Sequence, residues 1–228
     1  MAEAASRKAG SEDLLREGAE ELGLFLSGEQ VQAFQQYLAE LKTWSRNLNL
    51  VSRAGDREII LKDFIDSLTL HKHLPPRASL ADLGSGAGFP GLPLKIARPD
   101  LEVILVEAAR KKVIFLKHII RLLQLEGIEA RWTARPDEEG QTTEEFDIVA
   151  SRAFGSLAKL STAALPILKE KGLLLVMKGP KGEGELREEL PRLRAMGLEP
   201  VFLERFPLPF LGHERIIIAL RKNVPRGT

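Results

Sequence analysis

Cysteine is absent from the 228 residues. That excludes disulfides, Cys-ligated zinc and any mechanism built on a thiolate nucleophile, and it fits a reducing cytosol. Histidine occurs four times, at His71, His73, His118 and His213. These are scattered, with no Cys or acidic partner at ligand spacing, so no metal centre is expected. Aromatic residues make up 6% of the chain, with one Tyr and two Trp. Tyr37, Trp44 and Trp132 are read as core residues rather than base-stacking platforms. Neither sign of charge dominates: 33 Lys and Arg face 32 Asp and Glu, for a net charge of +1. A strongly basic balance would by itself have pointed to nucleic acid; this one does not. No stretch approaches the roughly 20 apolar residues of a bilayer span. The opening residues 1–8 lack the apolar core of a signal peptide, so a cytoplasmic protein away from membranes is expected.

What is present falls into two parts. Residues 1–76 read as a helical N-terminal region. Leu14, Leu15, Leu22 and Leu24 suggest a short first helix. Ser27 and Gln30 form a capping-box pattern, which satisfies two orphan amides at a helix start. Val31, Phe34, Leu38 and Leu41 follow at helical spacing, and Trp44 extends the stripe. A further helix is expected over Glu58 to His73, ended by Pro75-Pro76. From Ser79 onward, short apolar runs alternate with helical patterns, as in a parallel sheet flanked by helices. Strands are expected at 79–83, 102–106, 128–132, 146–150, 173–177 and 215–220, with a weaker one at 200–206. The intervening helices fall at 92–97, 111–125, 157–168 and 183–196. Residues 77–228 thus read as one α/β domain with a seven-stranded, mostly parallel, Rossmann-like sheet and helices on both faces.

The chemistry concentrates after the first strand, in Asp82-Leu83-Gly84-Ser85-Gly86-Ala87-Gly88. Glycines there let the backbone turn sharply and approach a ligand closely. Glu107 ends the second strand about 20 residues later, where a carboxylate can accept both hydroxyls of a ribose. A dinucleotide site needs Gly-x-Gly-x-x-Gly, and the third glycine position here is Phe89, which leaves no room for a pyrophosphate. Asp82 would repel a pyrophosphate but attract the cationic sulfonium and amino-acid tail of S-adenosylmethionine. The expected cofactor is therefore S-adenosylmethionine, and a nicotinamide oxidoreductase is disfavoured.

The continuation Phe89-Pro90-Gly91 is more specific than the glycines. The run from Asp82 to Gly91 resembles the bacterial 16S rRNA guanine-N7 methyltransferase family, RsmG or GidB. Asn47-Leu48-Asn49-Leu50, Asp66-Ser67-Leu68, Arg110-Lys111-Lys112, Ser151-Arg152-Ala153 and Met177-Lys178-Gly179 match in the same order, so the resemblance covers about residues 14 to 222. It implies a class I methyltransferase acting on 16S rRNA or the 30S ribosomal subunit. The sequence leaves the oligomeric state undetermined, with a monomer favoured. The resemblance also implies that Arg152 lies against the cofactor and that Ala134-Arg135-Pro136-Asp137 edges the adenine. Three positions depart from the family pattern. Asp63 stands where the family usually has His, Ser45 stands where it has Asn, and Pro136 brings no N–H to the adenine edge.

The residues also bear on the methyl acceptor. Pyrimidine C5 needs a Cys, and exocyclic amines commonly need an Asn/Asp-Pro-Pro-Tyr/Phe element, which Ser151-Arg152-Ala153-Phe154-Gly155 does not provide. Guanine N7 carries a free lone pair and no proton, so it needs no general base. The candidate cofactor residues are Asp82, Gly84, Gly86, Phe89, Glu107, Pro136, Asp137 and Arg152. The candidate substrate residues are Arg110, Lys111, Lys178 and Arg215; Arg110-Lys111-Lys112 reads either as a solvated helix start or as an RNA-facing cluster. Two rival functions stay open: methylation of a small molecule or protein, and a catalytically silent RNA-binding assembly module.

Overall fold

The computed structural model describes residues 10–51, 55–133, 144–152 and 154–223. Two helices come first, α1 (Ser11–Glu21) and α2 (Gly28–Leu48). The capping box is complete. Ser27 Oγ accepts from Gln30 N at 3.2 Å, and Ser27 N donates to Gln30 Oε1 at 2.8 Å. The Gln30 amide also donates to the carbonyls of Ile96 and Ala97. One side chain therefore starts α2 and satisfies the end of a helix beside the sheet. Val31, Phe34, Leu38 and Leu41 are all buried, as their spacing predicts.

The expected single helix over Glu58 to His73 is instead broken into pieces. A turn, α3 (Asp56–Ile59), runs into a π-helical stretch at Ile60–Ile65 and then α4 (Asp66–Leu68), with a 3₁₀ turn at His71–His73. Over a stretch of six residues the apolar pattern does not separate a widened turn from an ordinary one, so periodicity did not reveal it.

The sheet has seven strands in the order β3-β2-β1-β4-β5-β7-β6. These are β1 (Ser79–Leu83), β2 (Glu102–Glu107), β3 (Ile128–Trp132), β4 (Phe146–Ser151), β5 (Leu168–Lys178), β6 (Leu198–Pro207) and β7 (Glu214–Lys222). The first five pair in parallel, while β7 is antiparallel to both β5 and β6. The weak strand expected at 200–206 is thus a full edge strand. Its Pro200 sits at a register shift, where a missing N–H does least harm. Helices α5 (Gly91–Ala97), α6 (Arg110–Leu122), α7 (Leu157–Ala164) and α8 (Gly182–Ala195) connect the strands. Helix α7 stops four residues before the expected Leu168, giving way to a 3₁₀ turn that contains Pro166.

The core lies on both faces of the sheet. On one face, Phe34, Tyr37, Leu41 and Phe64 from the N-terminal region join Leu80, Phe89, Leu105 and Phe115 in a single apolar cluster. On the other, α7 and α8 contribute Leu157, Leu160, Leu186 and Leu193 against Leu83, Val149, Leu174 and Ile218. Among the described residues, no helix is long and apolar enough to cross a membrane.

Candidate active site

Parallel pairing brings the carboxyl ends of β1, β2, β4 and β5 to one edge of the sheet. Strand β7 runs the other way, so its first residues reach the same edge, with Lys178 opposite Ile216. Nearly every candidate residue that is described lies along this edge.

The glycine loop leaves β1 there. The amides of Gly84 and Ser85 both donate to Val106 O, which ties the loop to the end of β2. Gly84, Gly86 and Gly88 have φ of 74°, 60° and 109°, backbone conformations that side chains disfavour. A Cβ on Gly88 would stand 2.4 Å from Leu92 Cδ1 and 2.8 Å from the Tyr37 hydroxyl, so close packing requires glycine there. At Gly86 a Cβ would meet only the Gly84 carbonyl oxygen, at 3.9 Å, so the loop is open on that side. The close helix–strand contact that Phe89 cannot make is made two residues later. A Cβ on Gly91 would lie 2.4 Å from Leu105 Cδ2 on β2. This use of Gly91 was not anticipated, although the Phe-Pro-Gly run contained it.

Two carboxylates flank the loop. Asp82 is fully buried, and its Oδ2 accepts from Gly91 N at 2.9 Å. Its Oδ1 is buried without a hydrogen-bond partner. Burial pushes its pKa up to about 7, against the pull of the Gly91 amide, Ser85 and Arg152. Glu107 accepts from Gly86 N and from Ala109 N, each at 2.8 Å, one on each oxygen. Both its oxygens keep lone pairs for a further donor. An orphaned carboxylate oxygen, an open glycine and a carboxylate at the strand end fit a ligand carrying a cationic group and a ribose.

From the other side, Tyr37 donates to Ala87 O at 2.5 Å. Its ring packs on Phe64, Phe89 and Phe115 at centroid distances of 5.2, 5.8 and 6.4 Å. The N-terminal helices thus buttress the loop. Phe89 is itself buried, with the Arg152 guanidinium 4.7 Å over its ring. Arg152, just past β4, donates to Lys62 O at 2.8 Å and to Asp63 Oδ1 at 2.7 Å. The Asp63 that departs from the family pattern therefore faces Arg152 directly. Burial raises the Asp63 pKa, opposed by that guanidinium.

Beside Phe89 and Arg152 opens a cavity of about 460 Å³, lined by Lys62, Asp66, Arg152, Gly155, Met177, Lys178, Gly179 and Arg215. The structure brings three predicted residues together in it. Lys178 donates to Gly155 O at 2.8 Å and pairs with Glu185 at 2.9 Å. Arg215 donates from Nε to Asp66 Oδ1 at 2.9 Å. Asp66 falls in the Asp66-Ser67-Leu68 motif, which by itself implies no role for its carboxylate.

Arg110 and Lys111 stand apart from this cavity, exposed at the start of α6 beside the end of β2. Trp132 was expected in the core but is 43% exposed. It is the last residue of β3. Its indole donates to Ala108 O at 2.8 Å, and Arg110 stacks over its ring at 4.0 Å. Two of the scattered histidines do have acidic partners, His118 with Glu40 and His73 with Glu204. Among the described residues, no group of three or more His, Asp or Glu could hold a metal. Pro136 and Asp137, expected at the adenine edge, lie outside the described residues.

Solved structures share this architecture. A SAM-dependent methyltransferase from Aquifex aeolicus superposes with a TM-score of 0.56 at 16% identity, over 72% of this chain and 93% of that one. A 1,6-didemethyltoxoflavin-N1-methyltransferase from Burkholderia thailandensis gives 0.55 at 18% identity, over 83% and 90%. At such identities the likeness concerns the fold. Sequence relatives are much nearer. The ribosomal RNA small subunit methyltransferase G of Geobacter metallireducens is 40% identical over 214 residues, 93% of this chain and 97% of that protein. Its counterpart in Geotalea uraniireducens is 41% identical over 209 residues, covering 92% and 95%. The family model described as rRNA small subunit methyltransferase G, GidB, matches residues 30–209. With the Phe-Pro-Gly loop, the buried Asp82 and the Arg152 cavity in place around that match, the chain belongs to the rRNA small subunit methyltransferase G family.

Proposed function

We propose that this protein transfers a methyl group from S-adenosylmethionine to N7 of a guanine in 16S rRNA. The observation that carries the reading is the juxtaposition of the glycine loop with the 460 Å³ cavity, joined by Arg152 over Phe89. When bound, the cofactor supplies an electrophilic methyl on a sulfonium. Asp82 and the open face at Gly86 would receive its amino-acid end, and Glu107 would accept from its ribose hydroxyls. Arg152 and Phe89 would line the passage where the methyl group meets the base, leaving the line between sulfonium and N7 open. Pro136 and Asp137 are assigned to the adenine edge.

The chain's task is then orientation and charge, since N7 has no proton to remove. Near-attack geometry alone is worth several orders of magnitude in rate. The base enters the cavity unstacked from its neighbours. Lys178 and Arg215 are assigned to the substrate side, and Arg110 and Lys111 to RNA phosphates outside it. We place the functional boundary near residue 76, with residues 77–228 carrying the cofactor loop. The same reading puts the protein in the cytoplasm, as a monomer on the 30S subunit or its RNA.

Labelled methyl donor, deproteinised rRNA or 30S particles and this protein should give N7-methylguanosine at one position. Methylation of another atom, or none by a preparation that binds the cofactor, overturns the reading. Glu107→Ala should weaken cofactor binding roughly 10- to 100-fold, the range for hydrogen bonds to a charged group. Unchanged affinity by calorimetry would remove Glu107 from the site.

A further inference from the structure

The cavity contains a carboxylate that the methyl-transfer chemistry does not use. Asp66 is 4% exposed and lines the cavity. It lies just past the π-helical stretch, at the start of α4. Its Oδ1 is fixed by Arg215 Nε at 2.9 Å. Its Oδ2 lies 3.8 Å from Arg152 Nη1, too far for a hydrogen bond. Burial raises the Asp66 pKa, opposed by the Arg215 and Arg152 guanidiniums, and Oδ2 retains its acceptor capacity.

The cations around it are already engaged. Arg152 is held by Lys62 O and Asp63, Arg215 by Asp66, and Lys178 by Glu185 and Gly155 O. A cavity whose cations are neutralised internally has little net attraction for a phosphate, and its spare capacity is for accepting hydrogen bonds. Phosphate contacts position a nucleic acid, whereas base edges specify it.

Among the bases, guanine offers two adjacent donors, N1–H and the 2-amino group, on the edge away from N7. Adenine has no donor at N1 and none at C2. A carboxylate in the wall of this cavity, next to Arg152, therefore matches the donor edge of a guanine whose N7 is presented to the cofactor. We propose that Asp66 is the residue that selects guanine, accepting from N1–H and the 2-amino group, with Arg215 as the positioning residue that aims its carboxylate. This rests on the reading of the preceding subsection and adds the determinant of base choice to it.

The experiment uses full-length protein and rRNA in which the guanine that the protein methylates is replaced by inosine, which lacks only the 2-amino group. Wild-type kcat/KM should fall roughly 10- to 100-fold on inosine RNA, the cost of a buried acceptor left short of a donor. Asp66→Asn should lose a similar factor on guanine RNA and bring the guanine-to-inosine ratio close to one, with cofactor affinity unchanged by calorimetry. A purely structural role for Asp66 would lower both rates and leave that ratio intact, which overturns the proposal. Equal wild-type rates on the two RNAs also overturn it, whether or not the variant folds. Wild-type protein that makes no N7-methylguanosine on guanine RNA removes the preceding reading and this one with it. A product with an indifferent ratio removes Asp66 alone.

Discussion

Asp82 concentrates the physics of this site in one side chain. It is fully buried, half-satisfied by Gly91 N and raised to a pKa of about 7 by desolvation. In the unfolded chain its pKa is near 3.9. The folded state therefore binds the extra proton, and the stability this gives is complete below about pH 4 and lost as pH rises through 7. A cationic ligand beside Oδ1 reverses the preference and favours the carboxylate. Cofactor binding should tighten between pH 6 and 8 and release a proton at pH 6.5. Calorimetry in two buffers of different ionisation enthalpy should detect that proton, and Asp82→Asn should remove the difference. Tyr37 acts on the same loop from behind. Tyr37→Phe takes the donor from the buried Ala87 carbonyl, a loss of about 1–3 kcal/mol of stability. Thermal melting should register it, with weaker cofactor binding because the loop loses its support. Unaltered binding would limit Tyr37 to packing.

At the scale of elements, the informative feature is the π-helical stretch Ile60–Ile65. Such widened turns free backbone groups from regular helical pairing and are frequent at functional sites. Here the Lys62 carbonyl and the Asp63 carboxylate both turn to Arg152. Asp63→Ala should leave Arg152 held by one carbonyl and reduce kcat/KM for RNA about tenfold, the lower range for a charged hydrogen bond. Steady-state kinetics with full activity would show that Arg152 keeps its place without Asp63. Sequence periodicity reached the helices but not this device, because one widened turn of six residues is too short for its own period to show. The antiparallel course of β7 was equally hidden. A hydrophobic strand reads alike in either direction, yet only the antiparallel one delivers Arg215 to the edge occupied by Lys178.

On the scale of the whole molecule, the N-terminal helices and the sheet share one apolar cluster that runs from Leu14 to Ala219. Tyr37, Phe64 and Phe89 interlock across it at 5.2 to 6.1 Å. Shared burial makes the parts unfold together. Scanning calorimetry should give a single transition, raised by the cofactor through mass action by about 2.7 kcal/mol at 100 times its Kd. Two separate transitions would mean that the helical region melts on its own. The exposed side chains contribute little to this unit. Phe25, 82% exposed, should tolerate Ser with a change within about 0.5 kcal/mol.

The cofactor loop, the capping box at Ser27, the alternation of strands with helices and the family motifs were legible in the chain. Each is a relation among neighbouring residues, governed by backbone geometry and short-range periodicity. The partners of the cavity residues were not. Arg152 meets Asp63 across 89 positions, and Arg215 meets Asp66 across 149. An arginine in the sequence has many possible carboxylates, and packing chooses among them by distance in space. For the same reason Trp132 came out half-exposed rather than buried: its type favours burial, but at the end of β3 it packs under the Arg110 guanidinium instead of in the core. The sequence by itself determined that this chain folds around a methyltransferase cofactor loop. Only the tertiary structure decided which charges are neutralised at the cavity beside it, and which oxygen of Asp66 is fixed by Arg215.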